Sequence, residues 1–264
     1  MIIQSEENTL ERALRLAADD PSYRPAFFKA LLNSTVFIIG SSGGSHTSRT
    51  LEVGEKVSIQ NWQKADGTPV IPFFSSLATL RKAIDQEVSY LSLPARSLFE
   101  LTKGATLMLN PKSDYSKEFF SQEIDALLSE GLNRVPEQRV TQRETKILLA
   151  QPAKLPIEMV DALKSLFSRN TKVKAAYLAL MFDTSVSEKP SLLIGISVEG
   201  NAEQIVKEAG VVAGDSAPPG EAVTIVVVAE GEAGLSDYFL SSVTPFYKRT
   251  WGGRLKALLG VGHA

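Results

Sequence analysis

Cysteine is absent from this chain of 264 residues. That excludes a disulfide, a thiolate nucleophile, a persulfide carrier and any cysteine-ligated zinc or iron–sulfur site. Histidine occurs only at His46 and His263, too few for a multi-histidine metal centre, and no cofactor is expected. Unbroken apolar runs are short: no window approaches the roughly 18 residues of a spanning helix. Met1 to Ala18 alternates acids with apolar residues and lacks the basic and apolar regions of a secretion signal, so a cytoplasmic location is expected, with no membrane partner. Neither sign of charge dominates, with 28 Lys plus Arg against 30 Asp plus Glu. Residues 1–135 carry 14 cations and 16 anions, and residues 136–264 carry 14 of each. That balance gives no electrostatic footprint for nucleic acid.

What remains is an ordinary globular composition, 44% apolar and 22% charged, over a length at which single cores tend to divide. Asn8 with Glu11 three residues on forms a capping-box start for a helix carrying Leu10, Leu14 and Ala17. Pro25 opens a second helix, with Phe27, Phe28 and Leu31 on its buried stripe. Thr35 to Ile39 reads as a strand that runs into Gly40-Ser41-Ser42-Gly43-Gly44. Lys56–Lys64 and Pro69–Ser75 flank Ala65-Asp66-Gly67-Thr68, where Asp-Gly supplies the turn of a hairpin. Pro69 and Pro72 each remove a ladder donor, which places the second arm at a sheet edge or a bulge. Helices are expected at Ser76–Gln86, Arg96–Lys103 and Ser116–Glu130, the last burying Phe120, Ile124, Leu127 and Leu128. Strands are expected at Val88–Leu93 and Thr106–Leu109.

Periodicity fails over GLNRVPEQRVTQRE, residues 131–144, and the domain boundary is placed there: a first domain over residues 1–131, a linker over 132–144 and a second domain over 145–264. The fold class is α+β. The first domain should hold a mixed, mainly antiparallel sheet with helices. The second reads β-α-β-β-α-β, the order of a ferredoxin-like unit, followed by helices Leu235–Val243 and Trp251–Leu259.

Five stretches, RPAFFKALLNSTVFI, VIPFFSSLATLRKAI, LFELTKGATLMLNP, LLIGI and PFYKRTWGGRL, resemble in this order the SseB family of bacterial enhanced-serine-sensitivity proteins. The resemblance implies a cytoplasmic protein that pairs an N-terminal with a C-terminal SseB domain. It brings no catalytic residue to carry over. A sulfurtransferase activity, which a similar family name invites, has no persulfide-bearing cysteine to work with here.

Two places invite a functional reading. Gly40-Ser41-Ser42-Gly43-Gly44 fits G-x-S-x-G after a strand, half the setting of a hydrolase nucleophile elbow at Ser42. The residues that follow, through Thr50, show no helical periodicity, so a loop is expected. A second use of the same stretch is an anion nest of backbone N–H groups at Ser42, Gly43 and Gly44, helped by Arg49. In the C-terminal segment, Tyr247, Trp251, Leu255 and Leu258 recur at helical spacing among four cations and no acid. Tyr247, Arg249, Trp251 and Arg254 are therefore the expected contact residues for a protein partner, since Trp, Tyr and Arg dominate interface hot spots. Paired carboxylates at Glu6/Glu7, Asp19/Asp20 and Glu123/Asp125 read as helix caps and solvated faces. The functional expectation is a non-enzymatic protein acting by protein-protein or small-ligand binding in a regulatory, adaptor or toxin-neutralising role; the alternative is an enzyme with a cysteine-free site between domains, such as a serine hydrolase at Ser42.

Overall fold

A computed structural model describes residues 7–41, 57–132, 147–182 and 189–249. The chain divides into two compact units, Met1–Val135 and Pro136–Ala264.

The first unit opens with α1 (Thr9–Asp19), capped as its sequence predicts: Asn8 Oδ1 accepts from Glu11 N at 2.9 Å while Asn8 N donates to Glu11 Oε2 at 3.2 Å. A 3-10 turn over Pro21–Tyr23 leads into α2 (Arg24–Leu32) and β1 (Thr35–Ser41). Then follow β2 (Ser58–Ile59), β3 (Trp62–Gln63), β4 (Pro69–Phe74), α3 (Leu77–Ala83), β5 (Tyr90–Pro94), α4 (Ala95–Leu101), β6 (Leu107–Leu109), β7 (Lys117–Phe119) and α5 (Ser121–Glu130). The seven strands form one sheet in the order β2-β1-β4-β6-β7, with β3 on β4 and β5 on β1. Every pairing is antiparallel except β4 with β6. The Asp66-Gly67 turn joins β3 to β4: Gly67 takes φ +82° and Thr68 N donates to Asp66 Oδ1 at 2.9 Å.

Two expectations fail in this unit. First, β4 lies inside the sheet rather than at its edge, and the reason is where its proline falls. Ile71 N donates to Thr106 O, so the backbone of Pro72 faces the opposite side of the strand. On that side β3 pairs with residues 69–70 and β1 with residues 73–74. Pro72 occupies the handover between them, where no ladder donor is required. Second, the helix expected from Ser116 begins only at Ser121. Lys117–Phe119 pairs with β6 instead, which buries Phe119 and leaves Phe120 53% exposed. Phe119 joins Phe73 and Phe99, with ring centroids 5.6–5.9 Å apart, in the core beneath α2, α4 and α5. Of the linker expected over 132–144, Leu132 is buried and the rest lies outside the described residues.

The second unit comprises β8 (Leu148–Ala150), α6 (Ile157–Ser168), β9 (Val173–Phe182), β10 (Ser191–Val198), α7 (Glu203–Ser216), β11 (Val223–Val227), α8 (Leu235–Ser242) and β12 (Tyr247–Lys248). Through α8 the element order matches the expectation, but strand β12 was not expected and the sheet is not ferredoxin-like. A ferredoxin-like unit is a split βαβ, in which another strand separates the first two; here β8 pairs directly and antiparallel with β9. The order is β11-β10-β9-β12, with β8 beside β12 on the same edge of β9. The long antiparallel β9–β10 hairpin occupies the centre and leaves β8 only that outer edge, while β10-α7-β11 closes as a simple parallel crossover. One face, carrying Leu178, Ile194 and Ile196, packs under α6 and α7; the other, carrying Tyr177 and Leu193, packs under α8. The expected helix Trp251–Leu259 lies outside the described residues.

Candidate functional site

Successive side chains of a strand point to opposite faces. Phe73 therefore enters the helix-covered core of the first unit, and Phe74 the other face. Among the described residues that second face carries a small cluster: Ile39, Phe74, Leu80 and Ala83, flanked by half-buried Phe37, Trp62, Ile84 and Val88. The helix α3, which supplies Leu80 and Ala83, spans seven residues. Across the strands runs a row of rings. Tyr90 on β5 meets Phe37 on β1 edge-on at 6.1 Å; Phe37 lies directly opposite Phe74 on β4; and Phe74 meets Trp62 on β3 edge-on at 6.2 Å. Tyr90 at the outer end is 47% exposed. At the inner end Lys112 Nζ stands 5.5 Å from the Trp62 ring centroid, within cation–π range, and donates to Ala83 O at 3.0 Å.

Lys112 reaches this position because the loop after β6 is held in an uncommon shape. Asn110 and Lys112 adopt φ +50° and +62°, a left-handed conformation that Asn tolerates better than most residues. Asn110 is fixed by a buried network: Ser75 N donates to Asn110 Oδ1 at 2.8 Å, and Asn110 Nδ2 donates to Ser75 Oγ at 2.8 Å. Ser75 Oγ and Ser76 Oγ in turn donate to Glu11 Oε1 at 2.7 and 2.8 Å, and Asn8 Nδ2 donates to Ser75 O at 3.0 Å. Asn110 is thus the clamp joining α1, the β4–α3 junction and the Lys112 loop.

Beside the row lies an open hollow of about 340 Å³ lined by Ile39, Gly40, Ser41, Ser58, Gln60, Val88 and Ser89. It sits at the root of the glycine–serine stretch. Gly40 N donates to Ser89 O, Gln60 N donates to Ile39 O, and a Cβ on Gly40 would stand 2.3 Å from Ser58 O. Ser42, Gly43, Gly44 and Arg49 themselves lie outside the described residues. No sequence motif marked Trp62, Tyr90 or Lys112. The usable signal was the aromatic residue in each of β1, β3 and β4, whose common face depends on strand register.

The C-terminal candidates separate. Sequence spacing groups Tyr247 with Trp251 on one helical face, but Tyr247 lies in β12, opposite Ala176 of β9. Its ring packs 5.7 Å from Phe167 and its hydroxyl donates to Phe167 O at 3.1 Å. Arg249 N donates to Lys174 O, and Arg249 Nη2 lies 3.5 Å from Glu199 Oε2, with Lys174 Nζ 3.7 Å from Glu199 Oε1. Both side chains are tied to their own domain. Trp251 and Arg254 lie outside the described residues. Burial pushes the Tyr247 phenol upward, against the opposing influence of Arg249. Among the paired carboxylates, Glu7 is held below the usual range by its hydrogen bond from Arg15, Asp20 caps the 3-10 turn by accepting from Ser22 N, and Glu123 pairs with Lys117 at 2.8 Å.

The arrangement is that of a two-domain α+β protein with a row of aromatic rings on one face of its N-terminal sheet, exposed at Tyr90 and buried at Phe74. The SseB protein N-terminal domain matches residues 10–126 and the SseB protein C-terminal domain matches residues 141–249. The chain is 38% identical over 250 residues to "Protein SseB" of Escherichia coli (strain K12), and equally to "Protein SseB" of Shigella flexneri, covering 95% of each chain in both cases. It belongs to the SseB family. No solved structure matches it significantly. No described helix is long and apolar enough to cross a membrane.

Proposed function

We propose that this SseB-family protein works in the cytoplasm by binding a protein partner, in a regulatory, adaptor or toxin-neutralising role, and performs no catalysis. The observation that carries the reading is the aromatic row Tyr90–Phe37–Phe74–Trp62, partly open and ending under the Lys112 ammonium. Tyr and Trp supply large rigid contact area at low entropic cost, and aromatic anchors concentrate binding energy. Trp251 and Arg254, which follow the anchored Tyr247 and Arg249 in sequence, provide a second contact region.

The test is recovery of partners from native lysate with the intact protein, with Trp62→Ala plus Tyr90→Ala, and with Trp251→Ala plus Arg254→Glu, followed by direct titration of the purified partner. The row variant should lose at least ~1 kcal/mol of binding while keeping its fold. The competing serine-hydrolase reading is tested separately. A fluorophosphonate probe should leave the protein unlabelled; stoichiometric labelling that Ser42→Ala abolishes would replace the binding reading with an enzyme.

A further inference from the structure

β11, Val-Thr-Ile-Val-Val, is an edge strand: among the described residues it pairs only with β10. Exposed edges are usually blunted by charge, proline, bulges or extreme shortness. Other edge strands carry such devices or are very short: β7 carries Lys117 and Glu118, β5 ends at Pro94, β8 spans three residues, and β12 is two residues long with Lys248. β11 has none. Its register with β10 runs unbroken over five residues, and Val227 is 46% exposed.

The hydrogen bonds at its two ends settle which backbone groups face outward. Leu192 N donates to Ala222 O, and Val228 N donates to Ile196 O. Even-numbered residues of the strand therefore face β10, and Val223, Ile225 and Val227 turn their N–H and C=O groups to the open side. The next outward donors on either flank are already satisfied within the chain: Glu221 N donates to Pro218 O at 3.1 Å and Ala229 N to Ser236 Oγ at 3.2 Å. The open segment is thus bounded at both ends and symmetric about Ile225.

We propose that this edge binds a second copy of the same chain. Antiparallel pairing about a two-fold axis at Ile225 places Ile225 opposite Ile225, Val223 opposite Val227 and Val227 opposite Val223. Each of these opposed pairs exchanges two hydrogen bonds, so every outward donor and acceptor of the three residues is used. The side chains brought together are β-branched, the types that pair well across strands. In this register Glu221 faces Ala229 and Glu230 faces Gly220, so no like charges are opposed. The two five-stranded sheets become one continuous sheet.

The register makes the test specific. Full-length protein should sediment as a concentration-dependent dimer, and the amide protons of Val223, Ile225 and Val227 should exchange more slowly as concentration rises. Val223→Lys with Val227→Lys puts lysine opposite lysine and should weaken association by about an order of magnitude or more. Val223→Glu with Val227→Lys in one chain puts Glu opposite Lys twice and should restore the dimer in a salt-sensitive form. A protein that stays monomeric at every concentration overturns the proposal. So does a dimer that persists in the folded double-lysine variant, or one lost on removing residues 250–264. If the double-lysine variant fails to fold, amide exchange in the unaltered protein decides: rates at these three residues that do not depend on concentration overturn it.

Discussion

Gly195 lies directly beneath the ring of Phe239: a Cβ on Gly195 would stand 2.8 Å from Phe239 Cδ2 and 2.8 Å from Val228 Cγ2. The bare backbone at this point of β10 lets α8 settle onto the sheet, and Phe239 is fully buried there, tilted against Tyr177 at 5.8 Å. The LLIGI stretch is therefore a seat for one ring as well as a core strand.

Gly195→Ala should destabilise the second unit by about 1–3 kcal/mol through overpacking. Phe239→Ala alone should cost about 3–5 kcal/mol. In the Phe239→Ala background, Gly195→Ala should cost less, because the clash with the ring is gone and only that with Val228 Cγ2 remains. Denaturant unfolding of the four proteins in a double-mutant cycle reads this coupling directly.

Gly40→Ala meets backbone rather than a side chain, with Ser58 O at 2.3 Å. A carbonyl held in the sheet cannot rotate away, so β2 must separate from β1. The expected outcome is loss of protection at the Gln60 amide, which donates to Ile39 O, and destabilisation of about 2 kcal/mol or more. Amide exchange of Gln60 unchanged by the substitution would contradict this.

Asn110→Ala leaves the buried Ser75 N–H without its partner and removes the bond that Ser75 Oγ accepts, although that hydroxyl still donates to Glu11, a loss of about 1–3 kcal/mol. Asn110→Gly removes the same bonds but suits φ +50° better, which recovers about 1 kcal/mol. Unfolding midpoints should rank Asn above Gly and Gly above Ala. Equal midpoints for Gly and Ala would mean that the left-handed backbone carries no strain.

The phenols of Tyr177 and Tyr247 both titrate above their ordinary value, mainly because burial disfavours the phenolate. A raised folded-state value means that the contribution of each neutral phenol is intact below about pH 10, the unfolded value, and is lost as pH rises through the folded value. Tyr247→Phe should lower stability at neutral pH by about 1 kcal/mol through loss of the bond to Phe167 O. It should also reduce the decline of stability in alkali. Parallel alkaline limbs for the two proteins would sink the assignment.

Features written in consecutive residues were legible without the fold. The Asn8–Glu11 capping box and the Asp66-Gly67 turn need only local geometry, and both formed as the sequence implies. Most of the helix and strand order likewise followed from local periodicity, the strands β7 and β12 excepted. Which strand lies beside which did not, because pairing is a contest among distant segments for a limited number of sheet edges. That contest placed Pro72 inside the first sheet between two partial neighbours. It drew Lys117–Phe119 into a strand so that Phe119, not Phe120, entered the core. It also put β8 on β9 and turned Tyr247 from a helical stripe into a strand residue anchored on Phe167. The aromatic row belongs to the same category: Tyr90, Phe37, Phe74 and Trp62 come from four strands, and only the register between those strands brings their rings onto one face. A one-residue slip would have sent each to the opposite side, because side chains alternate along every strand. Composition and local pattern settled which elements form and which chemistries this chain lacks; long-range pairing decided which of its side chains meet.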